Sequence, residues 1–246
     1  MKVVVFGGTG LIGGKLVTLL RGVGHEAVPA SPSSGVNTLT GEGLDEVLTG
    51  ADVSVDVTNS PSFADEAVLE FFRTSTANQL AAASRAGVRH YVALSIVGTD
   101  RVRDSGYLRA KAAQEALITA GPVPYTVVRA TQFFEFAVGI AATAMAGDGA
   151  AHLPSARLQP VAADDVVATL ADVVQSAPAR GIVEVGGPEK IALDEFVRRA
   201  VPPATTVVTD PSATYLGAAI DDTSLVTGPQ ARIGATTYDA WLAARG

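Results

Sequence analysis

The sequence has no cysteine among its 246 residues, which excludes disulfides, iron–sulfur clusters and zinc–thiolate sites. Its three histidines, His25, His90 and His152, do not have the spacing of metal ligands, and we expect no metal site. No run approaches the roughly 18 apolar residues needed to span a bilayer. A signal peptide needs a longer apolar segment than the opening MKVVVFGG, followed by a cleavage site. We therefore expect a cytoplasmic protein that does not associate with membranes.

Charged residues are also sparse, at 17% of the chain, and the net charge is −7. A negative surface repels phosphate backbones, so we expect no nucleic-acid partner. Hydrophobic residues make up 48% of the sequence, a balance typical of a folded protein with a large core. The length suits one large α/β domain, and we expect residues 1–246 to form a single domain.

Short β-branched runs alternate with helical patterns along the first half of the chain, and this alternation predicts a parallel sheet. Strands are predicted over residues 2–6, 26–30, 52–57, 90–94, 125–129 and 182–185. Helices are predicted over residues 11–22, 63–86, 107–120, 133–146, 164–175, 193–201 and 236–244, with an extended segment over 158–162. We expect an α/β fold with a doubly wound parallel sheet, a Rossmann fold. Residues from about 131 to 246 would add a small substrate-facing lobe.

A glycine-rich turn lies between the first predicted strand and helix, and it carries the strongest local signal. It reads as G-x-G-x-x-G from Gly8 or as G-x-x-G-x-x-G from Gly7, through Gly10 and Gly13. Glycines there permit a tight turn and let the backbone approach a pyrophosphate at the helix N-terminus. In this strand–turn–helix context, the motif predicts a dinucleotide site.

The end of the second predicted strand bears on the choice of dinucleotide. An Asp or Glu there holds the ribose hydroxyls of NAD, but residues 30–34 read Ala-Ser-Pro-Ser-Ser. The segment has no Arg or Lys either. Because the hydroxyls of Ser31 and Ser33 can bond a 2′-phosphate and no carboxylate repels it, we favour NADP(H), with NAD(H) as the alternative.

A serine, a tyrosine and a lysine form the second constellation. Ser95 ends the fourth predicted strand, and Tyr107 and Lys111 follow at i, i+4 on one face of the next helix. We expect the ammonium to lower the pKa of the phenol, and the serine to bond a substrate carbonyl. Y-x-x-x-K alone also occurs on solvated helices, but its position near the glycine turn favours catalysis.

With these motifs, the sequence resembles the short-chain dehydrogenase/reductase superfamily and, within it, the atypical, NmrA-like NAD(P)-binding group. The resemblance runs nearly end to end. It is carried by the glycine turn, TGEGL (40–44), DVTNSPSF (56–63), LSIVG (94–98), RAK (109–111), VRATQFFEF (128–136), PVAADDV (160–166), GGP (186–188) and WL (241–242).

The resemblance implies roles for further residues. Thr58 and Asn59 would line the adenosine and ribose side of the cofactor, and Glu42 would lie near the adenine. Thr131 and Gln132 would approach the nicotinamide. Three aromatic side chains would line the substrate pocket or pack in the core: Phe133, Phe134 and Phe136. The predicted cofactor-binding set is Gly7, Thr9, Gly10, Leu11, Ile12, Gly13, Ser31, Ser33, Glu42, Thr58, Asn59, Lys111 and Thr131.

These features favour an NAD(P)H-dependent oxidoreductase that reduces a small, apolar carbonyl compound or quinone. In this hypothesis Tyr107 donates the proton, Lys111 holds the ribose and tunes the phenol, and Ser95 orients the carbonyl oxygen. The alternative is a non-enzymatic NADP-sensing regulator of the NmrA-like type. A sugar-nucleotide epimerase or dehydratase ranks third, because such enzymes usually carry a larger C-terminal lobe. The helix over 63–86 could also mediate a homodimer.

Overall fold

The structure of the chain is a computed structural model that describes residues 1–245. Within those residues the strands are β1 (Lys2–Phe6), β2 (Glu26–Ala30), β3 (Val53–Asp56), β4 (His90–Ile96), β5 (Tyr125–Ala130), β6 (Ala151–Leu153), β7 (Arg157–Leu158), β8 (Gly181–Gly186), β9 (Ile191–Ala192), β10 (Val207–Thr209) and β11 (Arg232–Ile233). The α-helices are α1 (Leu11–Gly22), α2 (Leu44–Leu48), α3 (Asp65–Arg85), α4 (Gly106–Ala120), α5 (Ala137–Thr143), α6 (Ala163–Gln175), α7 (Leu193–Ala200) and α8 (Tyr238–Ala243).

A parallel sheet in the order β11-β8-β5-β4-β3-β1-β2 forms the centre of the protein. Its strands are short and rich in valine, which suits strands buried on both faces. The chain moves outward from β1 to β2 and then returns to place β3 on the other side of β1. This reversal puts the topological switch point between β1 and β3, where ligands bind in such sheets. The predicted α/β, doubly wound architecture is confirmed.

Helices cover both faces of the sheet. On one face, Leu16 and Leu20 of α1 pack in the same buried cluster as Val166 and Leu170 of α6. On the other face, α2, α3 and α4 bury a second cluster, and α4 packs beside α3. Of the four leucines at helical spacing in the first predicted helix, Leu16 and Leu20 contact the sheet, whereas Leu11 and Leu19 are 40% and 39% exposed.

Residues after β5 build a third cluster, away from the sheet. Its aromatic centre consists of Phe134, Phe196, Tyr238 and Trp241, with Phe134 and Tyr238 ring centroids 4.9 Å apart. Two small two-stranded sheets, β10-β6 and β7-β9, border it. The C-terminal part of the chain thus has its own apolar cluster, made from short elements.

The predictions were least accurate in this region. The helix predicted over 133–146 is a 3₁₀ turn at Phe134–Phe136 followed by the short α5, and the chain then turns back at Gly149, whose φ is +79°. The extended segment predicted over 158–162 is paired at two points: Leu158 belongs to β7, and Val161 forms an isolated parallel bridge with Phe133. Pro160 between them has no N–H to donate. The five-residue α2 was not predicted, since it is too short to show a period.

Within residues 1–245, none of the helices has the length and apolar character that crossing a membrane requires. The same residues contain no group of three His, Asp or Glu side chains placed to hold a metal ion. Of the histidines, His90 is buried, its Nε2 lies 2.9 Å from Thr126 Oγ1, and burial lowers its pKa to about 4.

Candidate active site

The turn after β1 is formed by glycines that the surrounding backbone leaves no room to replace. Gly7 has a φ of +78°, and a Cβ there would lie 2.9 Å from the carbonyl oxygen of Val57. A Cβ on Gly13 would lie 2.2 Å from the carbonyl oxygen of Gly7, and one on Gly8 would lie 2.6 Å from the Cα of Pro29. Contacts within the protein, between this turn, α1 and the neighbouring strands, therefore require these three glycines.

Gly10 differs from them, because packing within the protein leaves space around it. It precedes α1 with φ −82° and ψ −177°, and no side chain caps the helix. The atom nearest to a Cβ would be the Gly7 carbonyl oxygen at 3.4 Å. The backbone around Gly10 and the N–H groups of the first helical turn are thus open to an anion. The turn fits the pyrophosphate of a dinucleotide.

Three further residues of the predicted cofactor site lie in or beside this turn. Thr9 and Leu11 are exposed, whereas Ile12 is buried in the core between α1 and the sheet. The Ile12 side chain therefore packs inward, and only its backbone remains to contact a phosphate.

The predicted adenosine side lies at the end of β2. Ser31 is buried and its hydroxyl lies 2.8 Å from the hydroxyl of Ser33, which is exposed. The neighbouring loop carries the exposed Glu42, and it approaches so closely that a Cβ on Gly43 would lie 2.4 Å from the carbonyl oxygen of Gly35. The two predicted serines and the predicted acid are thus on adjacent loops.

Tyr107 lies near the N-terminus of α4, and its environment is aromatic. Its ring centroid is 5.4 Å from that of Phe63 and 6.1 Å from that of Phe72. The phenol donates a 2.8 Å hydrogen bond to Oδ1 of Asn59. Burial raises the pKa of Tyr107 to about 12, although the Asn59 hydrogen bond opposes this. The structure thus joins Tyr107 to Asn59, a residue that the family resemblance places on the adenosine and ribose side of the cofactor.

Lys111 follows one helical turn later and is buried. Its Nζ donates to the carbonyl oxygen of Leu94 at 2.9 Å and to the side chain of Gln114, and it lies 4.2 Å from the Phe72 ring centroid. Burial lowers the pKa of Lys111 to about 8, against the pull of the Asp56 and Glu115 carboxylates. The expectation that this ammonium lowers the pKa of Tyr107 is not met, because the burial of the phenol dominates.

Asp56, at the end of β3, connects Lys111 to the predicted cofactor side. Its Oδ2 accepts a 2.9 Å hydrogen bond from Gln114, which itself accepts from Lys111. Its Oδ1 accepts from the backbone N–H and the hydroxyl of Thr58 at 2.9 and 2.6 Å. Neither Asp56 nor Gln114 is among the predicted site residues, although a carboxylate that ends an apolar strand is a usable signal.

Ser95 belongs to a second buried network. Its hydroxyl donates a 2.5 Å hydrogen bond to Glu115 of α4. The Glu115 carboxylate also pairs with Arg129 of β5 at 2.7 Å, and Arg129 reaches Asp100 at 2.9 Å. The network joins α4, two strands and the loop that follows β4.

The Ser95 hydroxyl thus donates its proton to Glu115. Its predicted contact with a substrate carbonyl stays a prediction. Side chains alternate along a strand, and Ile96, the next residue, packs in the apolar cluster that contains Tyr107. Ile96 and Tyr107 thus pack against the same buried residues, Val102, Leu108 and Ala218.

The residues after β5 point in several directions. Thr131 is buried and its hydroxyl donates to the carbonyl oxygen of Gln159 at 2.5 Å. Phe134 belongs to the C-terminal apolar cluster, and Phe133 is buried against the sheet, which is the core interpretation of these rings. Phe136 is 48% exposed, with its ring centroid 5.1 Å from that of Phe133. Of the three phenylalanines, only Phe136 has substantial surface available to a ligand.

Solved structures resemble the whole chain at low sequence identity. MoeE5, in complex with UDP-glucose and NAD, aligns with a TM-score of 0.76 and 18% identity over 99% of this chain and 96% of its own. UDP-glucose 4-epimerase from Thermotoga maritima, with UDP-glucose, gives 0.75 and 14% over 98% and 96%. A short-chain dehydrogenase/reductase superfamily protein from Agrobacterium tumefaciens, with bound NAD, gives 0.70 and 15% over 99% and 95%.

At these identities, the likeness establishes the fold. The chain has the fold of these NAD-bound and sugar-nucleotide-bound proteins, as the resemblance to the short-chain dehydrogenase/reductase superfamily implies. No family model and no curated protein matches the sequence. The NmrA-like subgroup stays a prediction.

Proposed function

We propose that this chain is an NAD(P)-dependent oxidoreductase that reduces a small carbonyl compound or quinone, with Tyr107 as the proton donor. The observation that carries the proposal is the position of the Tyr107 phenol. It donates a hydrogen bond to Asn59, which follows β3, and the glycine turn follows β1 at the same end of the parallel strands. The fold shared with NAD-bound proteins supports the cofactor class.

The cofactor would be held by backbone and hydroxyl groups. The N–H groups around Gly10 would bind the pyrophosphate, and Ser31 and Ser33 would bind the adenosine ribose or its 2′-phosphate, which favours NADP(H). Lys111 uses two of its three ammonium protons within the protein, so the third would bond a ribose hydroxyl. When bound, the nicotinamide supplies a hydride to the substrate carbon.

The chain itself would manage the proton. With a pKa raised to about 12, Tyr107 stays protonated at neutral pH and is ready to donate from its phenol oxygen. As negative charge develops on the substrate oxygen, this proton moves to it, and a phenolate forms one helical turn from Lys111. Apolar neighbours, including Ile96 and Phe72, would keep water away from the transfer.

A second candidate is reduction or epimerisation of a nucleotide sugar. From the sequence this function ranks third, because such enzymes usually have a larger C-terminal lobe. However, this chain and MoeE5 cover 99% and 96% of each other, so size does not separate them. The segment of this chain after residue 130 is poor in clusters of Arg and Lys that could hold a nucleotide diphosphate. A small carbonyl compound or quinone therefore stays the first proposal.

Binding and turnover together test the proposal. NADPH and NADH are titrated by fluorescence, and the better cofactor is then used with a panel of carbonyls, quinones and UDP-glucose. Tyr107→Phe should abolish turnover and leave cofactor affinity within about twofold, since the phenol hydroxyl is the only group removed. Tyr125→Phe is the matched control, because Tyr125 begins β5 and so lies at the amino end of the parallel strands, opposite to the site.

Two outcomes would contradict the proposal. Full turnover in Tyr107→Phe would show that the Tyr107 phenol is not the proton donor. Tight cofactor binding with no turnover across the panel, together with a protein captured in only one redox state, would indicate the NADP-sensing regulator instead.

We also propose a homodimer through α3 and α4. A groove of about 670 Å³ runs along the outer face of these helices. Its lining residues are Arg73, Thr74, Ala77, Asn78, Ala113, Ala116 and Leu117. The small side chains would let a second helix pair approach closely, and light scattering on the purified chain tests the mass.

A further inference from the structure

The most exposed large apolar side chain among residues 1–245, the described part of the chain, packs against the proposed proton donor. Phe63 has 59% of its surface exposed. Its ring centroid is 5.4 Å from that of Tyr107, and the two ring planes are tilted by 37°. Isolated apolar residues are common on protein surfaces, so the position of this ring, and not its exposure alone, requires an explanation.

Phe63 belongs to the segment between β3 and α3, and this segment is tied to α4 on either side of the ring. Before it, Oδ1 of Asn59 accepts the 2.8 Å hydrogen bond from the Tyr107 phenol. After it, Asp65 pairs with Arg109 at 2.7 Å. Contacts with the helix that carries Tyr107 therefore set the position of Phe63.

Close packing and local hydrogen bonds hold the same segment in shape. Gly106, the first residue of α4, has no space for a side chain, because a Cβ there would overlap the carboxylate of Asp65. The hydroxyl of Ser60 accepts from the N–H of Ser62 at 3.2 Å, and the hydroxyl of Ser62 accepts from the N–H of Ala64 at 3.3 Å. The exposed ring is thus carried on a segment that is closely fitted to α4.

Tyr107 packs against two phenylalanines that differ in exposure. The ring of Phe72 is fully buried, with its centroid 6.1 Å from that of Tyr107, and the Lys111 ammonium lies over it. Phe63 presents more than half of its surface to solvent. A substrate that takes the phenol proton must bring its carbonyl oxygen within roughly 2.6–3.2 Å of the phenol oxygen. Of the two rings packed against Tyr107, only that of Phe63 has surface that such a substrate can contact.

The chemistry of an exposed phenyl ring indicates which group it would bind best. Aromatic rings prefer offset-stacked or edge-to-face aromatic partners, and such pairs gain more than the burial of their area alone. A saturated ring or chain of the same size gains only the burial of apolar surface. Because Phe63 is in contact with Tyr107, it favours a substrate whose aromatic ring is close to the carbonyl group.

We propose that Phe63 determines substrate specificity by stacking on an aromatic ring of the substrate, attached directly to the carbonyl that Tyr107 protonates. This rests on the proposed function and narrows it, because the substrate is then an aryl carbonyl compound, a class that includes benzo-fused quinones. Phe63 takes no part in the transfer of the hydride or the proton. It binds the ring and so directs the carbonyl oxygen toward the phenol.

Two ketones of equal carbon number test this specificity: acetophenone, and cyclohexyl methyl ketone, in which the phenyl ring is saturated. Their intrinsic reactivities differ, so the informative quantity is the ratio of their kcat/KM values in each variant, relative to wild type. Phe63→Leu keeps an apolar side chain without the ring and should lower this ratio about threefold or more, the effect of losing one aromatic pair. Phe63→Tyr keeps the ring and should preserve the ratio. Ile182→Ala, at a comparably exposed residue of β8, should also leave it unchanged.

A binding measurement separates this inference from the proposed function. Calorimetry in the presence of NADPH compares 1-phenylethanol with 1-cyclohexylethanol, the alcohols of the two ketones, which a reduced cofactor cannot oxidise. Tighter binding of the phenyl alcohol to wild type but not to Phe63→Leu, with neither ketone reduced, would support the aromatic contact of Phe63 and contradict the oxidoreductase. Reduction of both ketones with the same kcat/KM ratio in wild type and Phe63→Leu, and equal affinity for the two alcohols, would overturn the role of Phe63 and leave the oxidoreductase standing.

Discussion

Two segments border the site: the turn after β1, and residues 213–226, the strap, which lie against the loop after β4. Different contacts hold the two segments. In the turn, backbone lies against backbone, and Gly7, Gly8 and Gly13 have no space for a Cβ. The strap also approaches a glycine, since a Cβ on Gly98 would lie 2.5 Å from the Ser224 carbonyl oxygen. In addition, Arg101 donates to two of its carbonyl oxygens and lies beside Asp100, which pairs with Arg129. Both sides of the site therefore depend on glycines, and the strap side depends also on charged side chains.

The charged network gives the largest expected effect. Glu115→Ala would leave the Arg129 guanidinium, only 8% exposed, with the more exposed Asp100 as its remaining carboxylate. Breaking a buried pair in this way costs about 3–5 kcal/mol. Ser95→Ala removes one hydrogen bond from the same carboxylate and should cost about 1 kcal/mol.

Urea unfolding of both variants measures the difference. If Glu115→Ala cost no more than Ser95→Ala, the network would not be what holds α4 and the loop after β4, and the contrast with the turn would fail.

The second prediction concerns the turn. Gly13→Ala would force a Cβ to within 2.2 Å of the Gly7 carbonyl oxygen, so α1 must shift away from β1. Such overpacking costs roughly 1–3 kcal/mol, and we expect NADPH affinity to fall at least tenfold. Gly14→Ala is the matched control. Its Cβ has no contact closer than 3.8 Å, and alanine in a helix adds up to about 1 kcal/mol of stability.

Gly10→Ala sharpens this test, because packing within the protein tolerates a Cβ there while a bound pyrophosphate would not. We expect an unchanged melting temperature and weaker NADPH binding. Equal affinity in Gly10→Ala and wild type would argue that the pyrophosphate does not approach this backbone.

The contrast between the two sides also explains what sequence reasoning could find. The glycine turn was predicted correctly because its signal is local: a strand, a fixed glycine spacing and a helix within 13 residues. The hydrogen bonds from Ser95 to Glu115 and from Arg101 to Thr223 join residues that are 20 and 122 positions apart. No spacing rule records such contacts, because packing of α4 and of the strap against the sheet creates them.

The short elements after β5 show the same limit. The period of α6 was readable over 13 residues, whereas β6, β7 and β9 are two or three residues long. Segments of that length have no measurable period, and contact with the C-terminal cluster decides their form.

Lys111 lies between the two sides, within reach of both Asp56 and Glu115, and it gives the third prediction. Because its folded-state pKa is about 8 and its unfolded pKa about 10.5, the unfolded chain binds more protons between these values. The free energy of unfolding should therefore rise with pH from 8 to 10. In Lys111→Met this rise should disappear, and in Asp56→Asn it should begin below pH 8.

Chemical denaturation measures the free energy of unfolding across this pH range. The difference between wild type and Lys111→Met cancels the contribution of the tyrosines, which titrate at higher pH. Parallel curves for wild type and Lys111→Met would mean that the ammonium titrates normally and is not buried in solution.

The smallest effect concerns the cofactor preference on the turn side. Ser33 is exposed at the end of β2, with its hydroxyl 2.8 Å from that of Ser31. In Ser33→Asp, a carboxylate would accept hydrogen bonds from ribose hydroxyls and repel a 2′-phosphate. Two like charges at 4 Å repel by about 1–4 kcal/mol between bulk water and a protein surface. We therefore expect the ratio of NADPH to NADH affinity to fall about tenfold, and Ser33→Asn to leave it within twofold. Equally weaker binding of NADPH and NADH would mean that the 2′ position lies away from Ser33. The residues at the end of β2 would then give no support to a preference for NADP(H).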